Sequence, residues 1–206
     1  MAQSTPSIPL NQAVVTTHSS VVVTKASVTS VWNTLIDTST WPEWNRLVPK
    51  VIINSQPDQL ENSTETPPSS LSPVFQRGTK MSLLFNTNAD NEMDGNAPPF
   101  EESSLVMLKS VITVFEPPNS EKGEKGRIAW AVDTQAEGSW PKWLVYAERV
   151  HEIYQDEDGN VKVEDWELQT GVMAYGVRWM MGAKLERLRQ IWIENLKSFV
   201  EAGNQG

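Results

Sequence analysis

All 13 prolines of this chain lie at or before residue 141, and that asymmetry constrains its folding more than any other feature. Proline removes a backbone donor and is excluded from helix interiors and central strands, so everything after Pro141 is free to form long, uninterrupted elements. Trp143 to Tyr154 and Val161 to Thr170 read as two strands. Asp156-Glu157-Asp158-Gly159-Asn160 between them is a hairpin signal, because Asp-Gly and Gly-Asn tolerate positive φ. After Gly171, the residues Val177, Met181, Leu185, Leu188, Trp192, Leu196 and Phe199 recur at helical spacing, with Lys184, Glu186, Arg187, Arg189 and Glu194 on other faces. This predicts an amphipathic helix of about 25 to 30 residues that stops at Gly203.

Upstream the punctuation is denser. Residues 1–18 are polar, carry Pro6 and Pro9 and show no periodicity, which predicts a disordered tail and leaves a single domain over 19–202. Val21-Val22-Val23-Thr24 is a β-branched run, and Ser27 is a suitable N-cap for apolar residues at 28, 31, 32, 35 and 36. Pro42 at a first-turn position allows a short second helix over Trp41-Pro42-Glu43-Trp44-Asn45. Strands are expected over 47–53, 78–86, 104–116 and 126–133, and loop insertions over the Pro-rich and polar stretches 54–73 and 87–103. A run of adjacent strands followed by one long amphipathic helix is an α+β layer pair, in which the sheet curls around the helix and can enclose a cavity.

Composition closes off several chemistries. The chain has no Cys and two His, His18 and His151, which excludes a disulfide framework, a cysteine nucleophile and structural zinc. A net charge of −9 disfavours nucleic acid and anionic membranes as partners. There is no apolar run of spanning length and no leader-like start, which predicts a soluble, cytoplasmic protein without integral membrane association. Phosphate-binding, dinucleotide-binding, serine-hydrolase and metalloprotease motifs are lacking, and no metal or cofactor is expected. Nine tryptophans, about three times the usual share, point to a bulky core or an aromatic-lined cavity.

Symmetric closure of the last hairpin places Arg149 opposite Glu167 and His151 opposite Asp165, all on one face. His151 with Asp165 can serve as a general base and its orienting carboxylate, and Arg149 with Glu167 can orient a carbonyl or enolate. The opposite face carries Val150, Tyr154, Trp166 and Leu168, so the periodicity also permits these charges to face solvent as ordinary surface ion pairs. Ile153 and Val163, which share the charged face, favour its pointing inward. Trp130 and Trp143 on the sheet, Tyr175, Trp179, Met180 and Ala183 early in the long helix, and Trp44 near the expected entrance are the candidate ligand-binding residues, against a plain core role.

The order of elements carries local motifs: Val31-Trp32, Asp37, Trp41-Pro42-Glu43-Trp44-Asn45, Arg127-Ile128-Ala129-Trp130, Glu148 to Ile153, and Glu167 with Gly171. Over about residues 19–201 these resemble the START-like, Bet v 1-like superfamily, and within it the polyketide cyclase/dehydrase and lipid-transport group. The resemblance implies a helix-grip fold, a curved antiparallel sheet of about six to seven strands wrapped around a long C-terminal helix. It also implies a small hydrophobic or aromatic ligand, lipid or polyketide-like, held under that helix, or a cofactor-independent cyclase or dehydratase using the same cavity. A third reading is a chaperone-like interaction domain. Arg149 stands where the group frequently has His, which bears on any inherited catalytic role.

Overall fold

Alternating apolar residues and their turns resolve into seven strands and three helices in the computed structural model, which describes residues 3–57, 71–90, 105–119 and 121–203. Most of the two expected insertions, 58–70 and 91–103, lies outside the described residues. The strands are β1 (Val15–Val23), β2 (Lys50–Ser55), β3 (Lys80–Phe85), β4 (Val106–Glu116), β5 (Gly126–Val132), β6 (Tyr146–Gln155) and β7 (Val161–Thr170). They form one antiparallel sheet in the order β1-β7-β6-β5-β4-β3-β2. The helices are α1 (Val28–Ile36), α2 (Trp41–Trp44) and α3 (Val172–Gly203). This is the expected α+β helix-grip architecture.

Local chemistry explains the boundaries. Ser27 caps α1, its hydroxyl accepting from the Ser30 amide at 3.1 Å, and α1 buries Val31, Trp32, Leu35 and Ile36 at the expected spacing. Asn45 then closes α2, and its side-chain oxygen accepts from the Val48 amide at 2.8 Å. The strand expected from residue 47 begins only at Lys50, because Pro49 cannot donate to the ladder, while Leu47 and Val48 enter the core as irregular chain. The hairpin register pairs Arg149 with Glu167 and His151 with Asp165.

The main core lies between the inner face of the sheet and the helices. It unites Trp32 and Leu35 of α1, Trp41 and Trp44 of α2, Ile128 and Trp130 of β5, and Leu188, Trp192 and Leu196 of α3. The stripe read on α3 therefore does face the sheet. A second cluster covers the outer face around Ala129, Val150, Trp166 and Leu168, and Ile8 packs into it.

That contact corrects the expected disordered tail. Val15 to His18 extend β1 along β7, and the segment before them straps the outer face. The Ser7 amide and hydroxyl donate to the buried Glu148 carboxylate at 2.6 and 3.2 Å, and the Thr113 hydroxyl donates to the same group at 3.1 Å. The strap needs no periodicity of its own, because the apolar outer face supplies the burial.

Gly171 joins β7 to α3 at φ +97°, where a Cβ would lie 2.6 Å from the Leu144 carbonyl oxygen. Both the backbone angle and the approach require glycine. Gly171→Ala is expected to lose at least about 2 kcal/mol of folding stability, measured by urea denaturation.

Candidate functional site

The charged face of the hairpin points inward. Alternation along β6 and β7 puts Arg149, His151, Asp165 and Glu167 under α3, and all four are buried. The side chains do not pair straight across the ladder, however. Arg149 reaches diagonally to Asp165 in a bidentate fork, Nε to Oδ1 and Nη2 to Oδ2, both 2.7 Å. Glu167 is taken instead by Arg189 of α3, whose Nη2 donates to Oε2, and by Gln169, whose Nε2 donates to Oε1 at 2.6 Å. Arg149 with Glu167 as an orienting pair is therefore corrected. A guanidinium fork matches one carboxylate at a time, and the helix contributes a second guanidinium for the other.

Arg189, which the sequence places off the apolar stripe of α3, is buried. Its distance of four residues from Leu185, within the apolar stripe, is the signal that places it inward.

His151 is fully buried between two indoles. Its ring centroid lies 4.4 Å from Trp130 and 4.7 Å from Trp192. With Trp41 and Trp44 these rings form a closed circuit: Trp41 to Trp44 at 5.8 Å, Trp44 to Trp192 at 5.5 Å, and Trp130 back to Trp41 at 6.2 Å. The Arg149 guanidinium lies over Trp192, 4.4 Å from its centroid. Nδ1 of His151 is 3.4 Å from Asp165 Oδ1, but neither ring nitrogen has a hydrogen-bond partner among the described residues.

Burial holds the imidazole well below its usual 6.5, outweighing the Asp165 charge, so it is neutral near pH 7. Burial alone would raise the Asp165 carboxyl, but the Arg149 fork, with the Arg189 charge behind it, overcomes it and holds the group at about 2. The Ser19 hydroxyl of β1 adds a long contact to Asp165 at 3.4 Å.

A cavity of about 590 Å³ opens beside this cluster, toward the start of α3. Leu108, Val132 and Ala147 form its sheet side, and Val177, Met181, Leu185 and Leu188 its helix side. Glu167, Gln169 and Arg189 give it a polar inner wall, and Thr87, Lys109, Glu137 and Ser139 are the other polar residues of the lining. Of the four expected catalytic residues only Glu167 lines it; His151, Asp165 and Arg149 sit deeper, in the aromatic circuit.

None of the seven expected ligand-binding residues lines it either. Trp130 and Trp44 belong to the core, while Trp143, Tyr175, Trp179, Met180 and Ala183 face outward. The helical phase explains the error: at 100° per residue, Tyr175 and Trp179 are about 200° from Val177, and Ala183 about 200° from Met181. Trp140, not singled out beforehand, lines the cavity from the loop before β6.

Solved structures share this architecture. A hypothetical protein of Helicobacter pylori, jhp0584, superposes with a TM-score of 0.63 at 13% identity, over 90% of this chain and 87% of that one. The Zhui aromatase/cyclase from Streptomyces sp. R1128 gives 0.56 at 12% identity, over 90% and 93%. Ara h 8.0201 gives 0.52 at 9% identity, over 91% and 97%. At such identities the likeness concerns the fold. No protein-family model matches the chain.

In sequence, the oxopyrrolidines biosynthesis cluster protein O of Penicillium oxalicum (strain 114-2 / CGMCC 5302) is 38% identical over 205 residues, covering 96% of this chain and 92% of that one. The chain belongs to its family, and it shares its fold with the solved structures above. It has the sheet and gripping helix of that fold and fills one end of the interior with indoles.

Two stability predictions follow from the buried charges. The unfolded chain takes up a proton at residue 151 below about pH 6.5 and the folded chain does not, so stability is intact above that pH and falls below it. Relative to His151→Gln, the unaltered protein should lose stability progressively as the pH falls below about 6.5, by up to about 1.4 kcal/mol per pH unit, in urea titrations. Asp165, at about 2, adds a loss that begins only below about pH 4. Separately, Arg149→Met strands a buried carboxylate and should cost about 3–5 kcal/mol, whereas Arg149→Met with Asp165→Leu should recover most of it. Equal losses in the single and double variants would contradict the pairing.

Proposed function

We propose that this protein binds a small biosynthetic intermediate with an apolar body and one carbonyl or amide head, in the cavity between β4–β7 and α3. The observation that carries the reading is the cavity's composition: aliphatic side chains on both walls, a polar patch of Glu167, Gln169 and Arg189 on the inner wall, and Lys109, Glu137 and Ser139 elsewhere in the lining. Sites of this kind bury most of a ligand's surface against apolar walls and fix its orientation with a few polar groups. The relative's association with oxopyrrolidine biosynthesis supports the same class, since a lactam presents one N–H and one C=O to such a patch. Glu167 can accept from the N–H, and the Gln169 amide can serve either partner.

Titration with a 3-acyl-2-pyrrolidinone bearing an alkyl or aromatic chain should change tryptophan fluorescence, because Trp140 borders the cavity. Ala147→Phe fills the cavity from β6 and should weaken binding at least about tenfold while preserving the fold. Equal affinity in the filled variant would sink the reading.

A second reading, a cyclase or dehydratase, is favoured by one observation: Glu167 is a carboxylate on the wall of an apolar cavity, where it can move a proton. His151 is a weaker candidate for that role, being enclosed between Trp130 and Trp192. Under this reading Glu167→Gln should retain binding and abolish turnover. Turnover unchanged in Glu167→Gln would remove it.

A further inference from the structure

Seven large apolar side chains that the interior does not use are gathered at one end of the molecule. Trp140 and Trp143 lie before β6, and Val172, Met173, Tyr175, Trp179 and Met180 in the first turns of α3. Trp179 is 87% exposed, Met180 75% and Trp143 69%. The two segments are joined: the Val172 amide donates to the Trp143 carbonyl at 3.1 Å and the Met173 amide to the Leu144 carbonyl at 2.9 Å. Along α3, Val172, Tyr175 and Trp179 follow one face, and Met173 and Met180 stand two turns apart beside it. Soluble proteins rarely expose a contiguous patch of this kind unless something covers it.

The charge around the patch indicates what that is. The chain as a whole carries −9, yet neither 138–147 nor 168–185 contains an Asp or a Glu. The charged residues there are cations: Lys142, whose Nζ lies 4.3 Å over the Tyr146 ring, Arg178 between the exposed aromatics, and Lys184, paired with Asp90 at 3.5 Å. A second copy docked about a two-fold axis would set Lys142 and Arg178 against like charges, and two chains of −9 repel each other. Tryptophan, tyrosine and methionine interleaved with Lys and Arg instead fit the boundary between lipid headgroups and acyl chains, where amphipathic rings and cationic heads are both satisfied.

We propose that this face, built from the loop before β6 and the first turns of α3, docks the protein on an anionic lipid surface. The bound protein lies on the bilayer rather than across it, in keeping with the absence, among the described residues, of a helix long and apolar enough to span. The whole-chain charge that disfavours anionic membranes is offset here by Lys142 and Arg178, with Glu137 at the border of the patch and Lys184 paired with Asp90. Trp140 belongs both to the exposed patch and to the cavity lining, so docking brings the cavity entrance to the lipid surface. The proposal stands on the patch and does not depend on what the cavity holds.

The test is co-sedimentation of the full chain with phosphatidylcholine vesicles containing phosphatidylserine. The chain should pellet with them, less with phosphatidylcholine alone, and less as salt is raised. Trp143→Ala/Trp179→Ala should lower the bound fraction at least about tenfold and leave pyrrolidinone binding unchanged, since neither residue lines the cavity. Ala147→Phe should bind vesicles normally. Failure to pellet would overturn the proposal. So would vesicle binding that survives the double tryptophan variant but is lost in Ala147→Phe, which would mean lipid uptake into the cavity. A dimer in light scattering that the double variant dissociates would assign the patch to a second copy.

Discussion

The bidentate Arg149–Asp165 pair, buried where the last hairpin meets the C-terminal helix, is the interaction on which the interior depends. Two charges removed from water are tolerated only if each is fully engaged, and here the fork, the Ser19 contact and the indole under the guanidinium supply the engagement. Arg189 and Glu167 form a second pair one step along the strand, through Nη2 alone, and burial keeps His151 neutral among these charges. Such a cluster fixes how α3 sits on the sheet more sharply than aliphatic packing would, because a shift of one helical turn would part Arg189 from Glu167.

The aromatic circuit divides the space under the helix. Trp41, Trp44, Trp130, Trp192 and His151 fill the region beside α1 and α2, and the cavity is confined to the other half, against β4, β6 and the start of α3. The tryptophan excess thus has two separate physical origins. Six of the nine are buried, five of them in the core under the helix, where they occupy volume that a wider ligand site would have used, and Trp166 on the outer face; Trp140, Trp143 and Trp179 are at the surface.

What was legible in the sequence was whatever rests on period. The stripe from Val177 to Phe199, the alternation in the last two strands and the symmetric turn located the helix, the hairpin and the inward charged residues, with strand and helix ends within about three residues. What was not legible depends on partners distant in the chain. Ile8 and Ser7 have no pattern of their own and are ordered by Trp166 and Glu148. Which carboxylate Arg149 takes is decided by Arg189, whose place on the inner face follows from the phase of α3. Aromatic character suggested ligand contact for Tyr175 and Trp179, but phase governs which side chains meet the sheet, and the phase was already present in the stripe.

The position of β1 has a consequence for how the chain is made. From β2 to β7 each strand pairs with its neighbour in sequence, a meander whose ladders can form as the chain emerges, whereas β1 pairs only with β7. The first strand synthesised must therefore wait for the last, with its edge unpaired through most of translation, and its joining closes the longest loop in the fold. His18, Ser19 and Ser20 lie within that waiting strand, and its outward positions Thr16, Ser20 and Val22 are mostly polar. Such a sequence lets an unpaired edge persist without recruiting another chain.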